Sequence, residues 1–229
     1  MTNMKAVLTS TNITEIEGGV ALAEKLIGKS RKEINIAVIN EASAVEFGDH
    51  RWAISALSDL AENFGGSIEI VHLLALSPEQ IRARIDVADM FFVLGGNTEW
   101  LKSVFDKTGF SKILPDILKD KLYVGSSAGS MILGHRPSYK IQAAAYGESE
   151  CFGVESYLDL VDFSILPHFH AEYLNNRGSD WALAESKSVG YPVYAISDKA
   201  AVVVDGEKNY LMGNDYMKLV AGEAVECSA

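Results

Sequence analysis

Five short apolar runs, rich in β-branched and aromatic residues, punctuate the first half of this chain: "KAVLTS" (5–10), "INIAVIN" (34–40), "SIEIVHLL" (67–74), "MFFVLGG" (90–96) and "KLYVGS" (121–126). Between them lie stretches of helical spacing, at 18–28, 50–64, 78–86 and 98–119, the last interrupted near Thr108-Gly109 and Pro115. Near-continuous apolar runs suit strands buried on both faces, and strands that alternate with helices pair in parallel through crossovers. An α/β fold is therefore predicted, doubly wound, with a mostly parallel sheet flanked by helices. Residues 135–162 show only weak periodicity, and "FSILPHFH" predicts a short strand of the same sheet running into a loop. From 193 to 219 the spacing changes to a period of two, with turns at "VDGEKN" and "MGND", so antiparallel strands are expected near the C-terminus. No repeat, low-complexity tract or linker interrupts the 229 residues, and a single domain over 1–229 is expected.

Charge and composition narrow the function. A net charge of −11 and Lys/Arg runs no longer than two residues argue against nucleic acid and anionic membranes as partners. A small molecule or short peptide fits this balance better. Cys151 and Cys227 are far apart without metal-type spacing, pointing to a reducing compartment. The N-terminal apolar run is too short for a signal peptide, and no apolar stretch approaches the ~18 residues of a membrane span. A cytoplasmic location is expected, with neither metal nor cofactor; a homodimer stays open.

The run 121–126 continues into "YVGSSAGSMILG", whose core Gly125-Ser126-Ser127-Ala128-Gly129 has the spacing G-x-S-x-G. In that pattern a strand turns sharply into a helix and lifts the central hydroxyl out of the fold. Serine is a poor nucleophile near neutral pH, so Ser127 needs a base to take its proton and donors to hold an oxyanion. Of five histidines, His168 follows the short strand directly, after Pro167, while His50 and His72 lie at an early helix start and in a strand. His135 and His170 are lesser candidates. The stretch "VLGGNTEWL" (93–101) is a second strand end that turns through glycines into a helix. Paired glycines bring backbone N–H groups close to a ligand, which makes this turn a second oxyanion donor beside the amide of Ala128, or a tight turn that needs glycine for geometry alone. Open α/β sheets hold ligands at the C-terminal ends of their strands, where all three features fall.

Taken together, "FFVLGGNTEWL", "YVGSSAGSMILG", "VDFSILPHFH" and the later "AISDKAAVVVDG" resemble the peptidase E family, which contains α-aspartyl dipeptidases and the related cyanophycinases. The resemblance runs over nearly the whole chain. It implies a serine hydrolase on the class I glutamine amidotransferase-like fold, acting on short peptides through an acyl-enzyme. By motif, Ser127 is then the nucleophile, His168 the general base, and Gly96 and Ala128 the oxyanion donors, with Asn97 and Arg177 as substrate-binding candidates. The family's acidic partner is expected between serine and histidine, where the chain offers Glu148 and Glu150 but no aspartate; Glu148 is the choice. Where the aspartyl dipeptidases carry an arginine to pair the substrate's aspartate, this chain reads "SDWALAES", and Arg177 is the nearest. At most a relaxed preference for amino-terminal Asp is expected.

Two other readings compete. Glutamine amidotransferases share the architecture but use cysteine at the elbow. A non-catalytic ligand-binding protein could keep the elbow as a relic; only an activated serine would react with a fluorophosphonate.

Overall fold

A computed structural model describes residues 4–147, 152–174 and 178–226. Its first half follows the predicted alternation: β1 (Lys5–Thr9), α1 (Gly19–Ile27), β2 (Ile36–Ile39), α2 (Arg51–Asn63), β3 (Ile68–Ile70), α3 (Pro78–Val87), β4 (Met90–Val93), α4 (Thr98–Lys107), α5 (Phe110–Ile117) and β5 (Leu122–Ser126). The stretch 98–119 is interrupted near Thr108-Gly109 as expected, giving two helices, because Gly109 takes a left-handed conformation (φ 74°) at the joint. Pro115, expected as a break, lies inside α5, and the helix ends two residues later.

The second half continues with α6 (Ala128–Met131), α7 (Tyr139–Tyr146), β6 (Ser164–Leu166), α8 (Ser179–Ser188), β7 (Val193–Ile196), β8 (Ala200–Asp205), β9 (Lys208–Gly213), β10 (Tyr216–Val220) and β11 (Glu223–Ala224). The main sheet has the order β3-β2-β4-β5-β1-β8-β9, parallel from β3 to β1, with β8 and β9 antiparallel. A second sheet has the order β11-β10-β7-β6. This corrects the expectation that "FSILPHFH" belongs to the main sheet: β6 pairs in parallel with β7 instead. The period-two spacing of 193–219 is common to strands of both sheets, so it carried no information on their assignment.

Alternate side chains of the parallel strands face opposite sides. Val7, Val38, Phe92 and Val124 pack with α1 and α2. Leu8, Ile39, Phe91 and Tyr123 pack with α3, α4 and α5 on the other face. There the same core continues into Phe163, Ile165, Tyr194 and Ile196 of the second sheet and the residue before it. Leu166, Val193 and Ala195 point the other way, toward Ile141 of α7 and Ala182 of α8. No helix among the described residues is long and apolar enough to cross a membrane.

His135 ties the segment after α6 to this second layer. Its Nδ1 lies 2.7 Å from Asp159 Oδ1 and its Nε2 lies 3.1 Å from Asp162 Oδ1. Burial opposes its charge, but hydrogen bonds to Asp162 and Asp159 outweigh that and raise its pKa above 6.5. A raised pKa gives stability that is complete below about pH 6.5 and is lost as pH climbs through the folded value. His135→Gln is therefore expected to lower Tm at pH 5.5 more than at pH 9. Equal deficits at the two pH values would contradict the assignment.

Candidate active site

The elbow is built from three close backbone approaches. Ser127 has φ 48° and ψ −109°, a region that L-residues populate rarely and at a cost of about 1–3 kcal/mol. Its N–H donates to Thr9 O at 2.9 Å, and Ser130 Oγ donates to the same carbonyl at 2.7 Å, so the end of β1 holds the turn in place. A Cβ on Gly125 would lie 2.6 Å from Gly129 O, and one on Gly129 would lie 2.0 Å from Val93 O. Both flanking glycines are required by packing, because α6 lies directly on β4 and β5. Since glycine adopts the φ and ψ of residue 127 without strain, Ser127→Gly is expected to melt above Ser127→Ala. A lower Tm for the glycine variant would show that the turn is not strained.

His168 arrives from the second sheet. It stands two residues beyond β6 in a left-handed conformation (φ 62°) and its N–H donates to Ser10 Oγ at 2.9 Å. The Ser10 hydroxyl donates in turn to Ile196 O at 2.9 Å, and Thr11 Oγ1 donates to Asp198 O at 3.0 Å. The two residues after β1 thus tie the ends of β6 and β7 to the main sheet, bringing His168 Nε2 to 3.0 Å from Ser127 Oγ.

On its other side, His168 Nδ1 lies 2.7 Å from Asp198 Oδ1. A carboxylate only accepts, so Nδ1 carries the hydrogen and the Nε2 lone pair is left for the serine proton. Burial disfavours the charge on Asp198, but hydrogen bonds from His168 and Tyr173 prevail and hold its carboxyl below the usual carboxylate value. The carboxylate against His168 is thus Asp198, which follows the histidine in sequence, whereas Glu148 and Glu150, where the acidic partner is expected, lie outside the described residues. Asp198 sits in the "AISDKA" stretch. The available signal was its place two residues beyond β7, mirroring His168 beyond β6, which becomes informative once those strands are known to pair.

The second glycine turn lies beside the elbow. A Cβ on Gly95 would be 3.1 Å from Ser127 Cβ, and Gly96, at φ 130°, packs so tightly that its own would be 2.4 Å from Ala42 O. Gly96→Ala is accordingly expected to lower Tm, and an unchanged Tm would refute this contact. Among the described residues neither the Gly96 nor the Ala128 amide has a hydrogen-bond acceptor. Asn97 is not brought to the cleft wall: its Oδ1 accepts from Trp100 N–H at 2.8 Å and caps α4.

Ser127, His168, Gly95, Gly96 and Tyr173 line a cleft of about 530 Å³. Its described wall also carries Glu15, Glu46 and Asp59, and among the described lining residues there is no Lys or Arg. Glu15 is paired with Lys199 at 2.7 Å. Arg177 lies outside the described residues. Arg136 points elsewhere, with its Nε 2.9 Å from Oε1 of the buried Glu99. Two other histidines have partners of their own: His170 Nδ1 lies 3.0 Å from Asp215, and His50 Nε2 lies 3.2 Å from Ser43 O. No group of three or more metal-ligating side chains occurs among the described residues.

Comparison with known proteins gives a consistent result. The model of peptidase family S51 matches residues 7–212. An uncharacterized peptidase of Listeria monocytogenes is 31% identical over 180 residues, covering 76% of this chain and 83% of that protein. One from Pasteurella multocida is 28% identical over 153 residues, covering 66% and 72%. Among solved structures, a candidate peptidase E protein from Listeria monocytogenes superposes with a TM-score of 0.72 at 24% identity, over 93% of this chain and 99% of that one. At that identity the likeness speaks for the fold, including the antiparallel C-terminal strands.

Proposed function

The chain belongs to peptidase family S51, and from this premise we propose that it is a cytoplasmic, single-domain serine peptidase that cleaves short peptides through an acyl-enzyme on Ser127. The observation that carries the reading is the continuous relay from Ser127 Oγ through His168 to Asp198, with both links at hydrogen-bond distance and the serine at the cleft.

In this mechanism the Ser127 oxygen attacks the scissile carbonyl while His168 Nε2 takes its proton. The charge that develops on the carbonyl oxygen is met by the amides of Gly96 and Ala128, which have no acceptor among the described residues. As the tetrahedral species collapses, the C–N bond breaks and His168 returns the proton to the departing amine. A water molecule, deprotonated by the same nitrogen, then releases the acyl group. Asp198 keeps the imidazole in the productive tautomer and stabilises it when positive, without taking the proton.

Substrate choice follows from the cleft's charge. An aspartate side chain is favoured only by a local cation, which leaves Arg177 as the candidate clamp, because a guanidinium can donate two parallel hydrogen bonds to a carboxylate. With Glu46 and Asp59 on the cleft wall, the preference for amino-terminal Asp is relaxed. The comparison to make is kcat/KM for Asp-Leu, Asn-Leu and Ala-Leu in wild type and Arg177→Ala. A preference for Asp-Leu above ~100-fold, ~2.7 kcal/mol, that survives the mutation would overturn this specificity. The activity itself is tested by fluorophosphonate labelling: wild type should label and Ser127→Ala should not. Absence of labelling in the folded wild type would favour a ligand-binding protein.

A further inference from the structure

Tyr173 belongs to a short turn, Glu172–Leu174, beside the relay, and no step of the mechanism above involves it. The residue is 65% exposed, yet its hydroxyl is fully engaged. Its Oη lies 2.7 Å from Asp198 Oδ2 and 2.7 Å from His168 Nδ1. The ring stands edge-on to the imidazole, with centroids 5.7 Å apart. Because the carboxylate only accepts, the phenol donates to Oδ2, and the Nδ1–H directed at Oδ1 also meets an Oη lone pair. Three groups from three segments therefore close a hydrogen-bonded triangle behind the catalytic histidine. Burial, followed by the bond to Asp198 and its charge, raises the Tyr173 pKa above 10, so the phenol remains a donor across the neutral range.

We propose that Tyr173 is a positioning residue of the catalytic relay. Among the described residues, Asp198 Oδ2 has no side-chain partner other than this phenol, and the Asp198 side chain is 27% exposed. Without the phenol that oxygen faces water, and the carboxylate is free to turn about its last side-chain torsion, which carries Oδ1 away from Nδ1. With the phenol in place both carboxylate oxygens are held, the Nδ1–H tautomer is fixed, and the Nε2 lone pair stays on Ser127. Tyr173 transfers no proton and touches no reacting atom. Its effect reaches the serine only through Asp198 and His168, so the inference rests on the peptidase reading of Ser127.

The test is the second-order rate of phosphonylation by an alkyl fluorophosphonate, which reads serine activation without the native peptide. In that reaction the Ser127 Oγ–P bond forms, the P–F bond breaks, fluoride departs, and the Oγ proton passes to His168 Nε2. Tyr173→Phe keeps the ring and removes the hydroxyl; it is expected to label about tenfold more slowly, a change equivalent to ~1.4 kcal/mol. Asp198→Ala is expected to be slower still, and adding Tyr173→Phe to it should change the rate less than twofold, because the tyrosine then has nothing to hold. Circular dichroism confirms that each variant is folded. Labelling of Tyr173→Phe at the wild-type rate, or an equal slowing in both backgrounds, overturns the inference while leaving the peptidase reading intact. Labelling of Ser127→Ala as fast as wild type overturns both.

Discussion

Ser127→Ala is expected to lower kcat by ~10³-fold or more in a protein that keeps its fold, the scale on which loss of one member of a catalytic unit acts. In the proposed mechanism the acyl-enzyme forms on this hydroxyl, which lies 3.0 Å from His168 Nε2, the ring nitrogen opposite the one that meets Asp198. His168→Ala should lose a similar factor, since the serine then has no base. Because the two residues perform one step, Ser127→Ala/His168→Ala should be scarcely worse than either single variant. The measurement is kcat on the best substrate from a dipeptide screen, with folding checked by circular dichroism. Unchanged turnover in a folded Ser127→Ala protein would rule out the mechanism, and additive losses in the double variant would mean that the pair does not act as a unit.

The next largest effect is expected at Asp198. Asp198→Asn keeps the shape but can present an amide N–H to His168 Nδ1, which favours the tautomer that places a hydrogen on Nε2, where the serine proton has to go. Removing this control from a serine–histidine pair elsewhere costs ~10⁴-fold, and a loss of at least ~10³-fold in kcat is expected here. Glu148→Gln and Glu150→Gln should each stay within a few-fold of wild type, because Asp198 already occupies the Nδ1 side of His168. Measuring kcat for the three variants side by side decides the assignment. If Glu148→Gln proves the more damaging, the carboxylate of the relay is not Asp198.

These two predictions differ in how far the sequence foretold them. Ser127 was legible because an elbow is a local structure. Strand, glycines and serines lie together in "YVGSSAG", and the packing that forbids a Cβ at position 125 is against Gly129 four residues on, although that at position 129 is against Val93 of β4. His168 was legible from "ILPHFH", although for a partly mistaken reason, since its strand lies in the second sheet. Asp198 was not read, because its tie to His168 spans 30 residues and depends on β6 and β7 pairing in parallel. Asn97 is a substrate-binding candidate by position, and only the structure shows that its Oδ1 caps the start of α4.

The sequence by itself determined the α/β alternation, the burial of the central strands and the sharp turn that presents Ser127. Those features follow from periodicity and from steric limits that operate within one strand or turn. Tertiary structure alone decided that the C-terminal strands divide between two sheets, because a period of two does not name the neighbour with which a strand pairs. It likewise decided that Ser10 and Thr11 join the sheets at the cleft, that the carboxylate behind His168 is Asp198, and that Tyr173 closes the triangle. Each of these contacts joins residues from separate elements, and hydrogen-bond geometry selects among many similar side chains only after the chain has brought them within 3 Å.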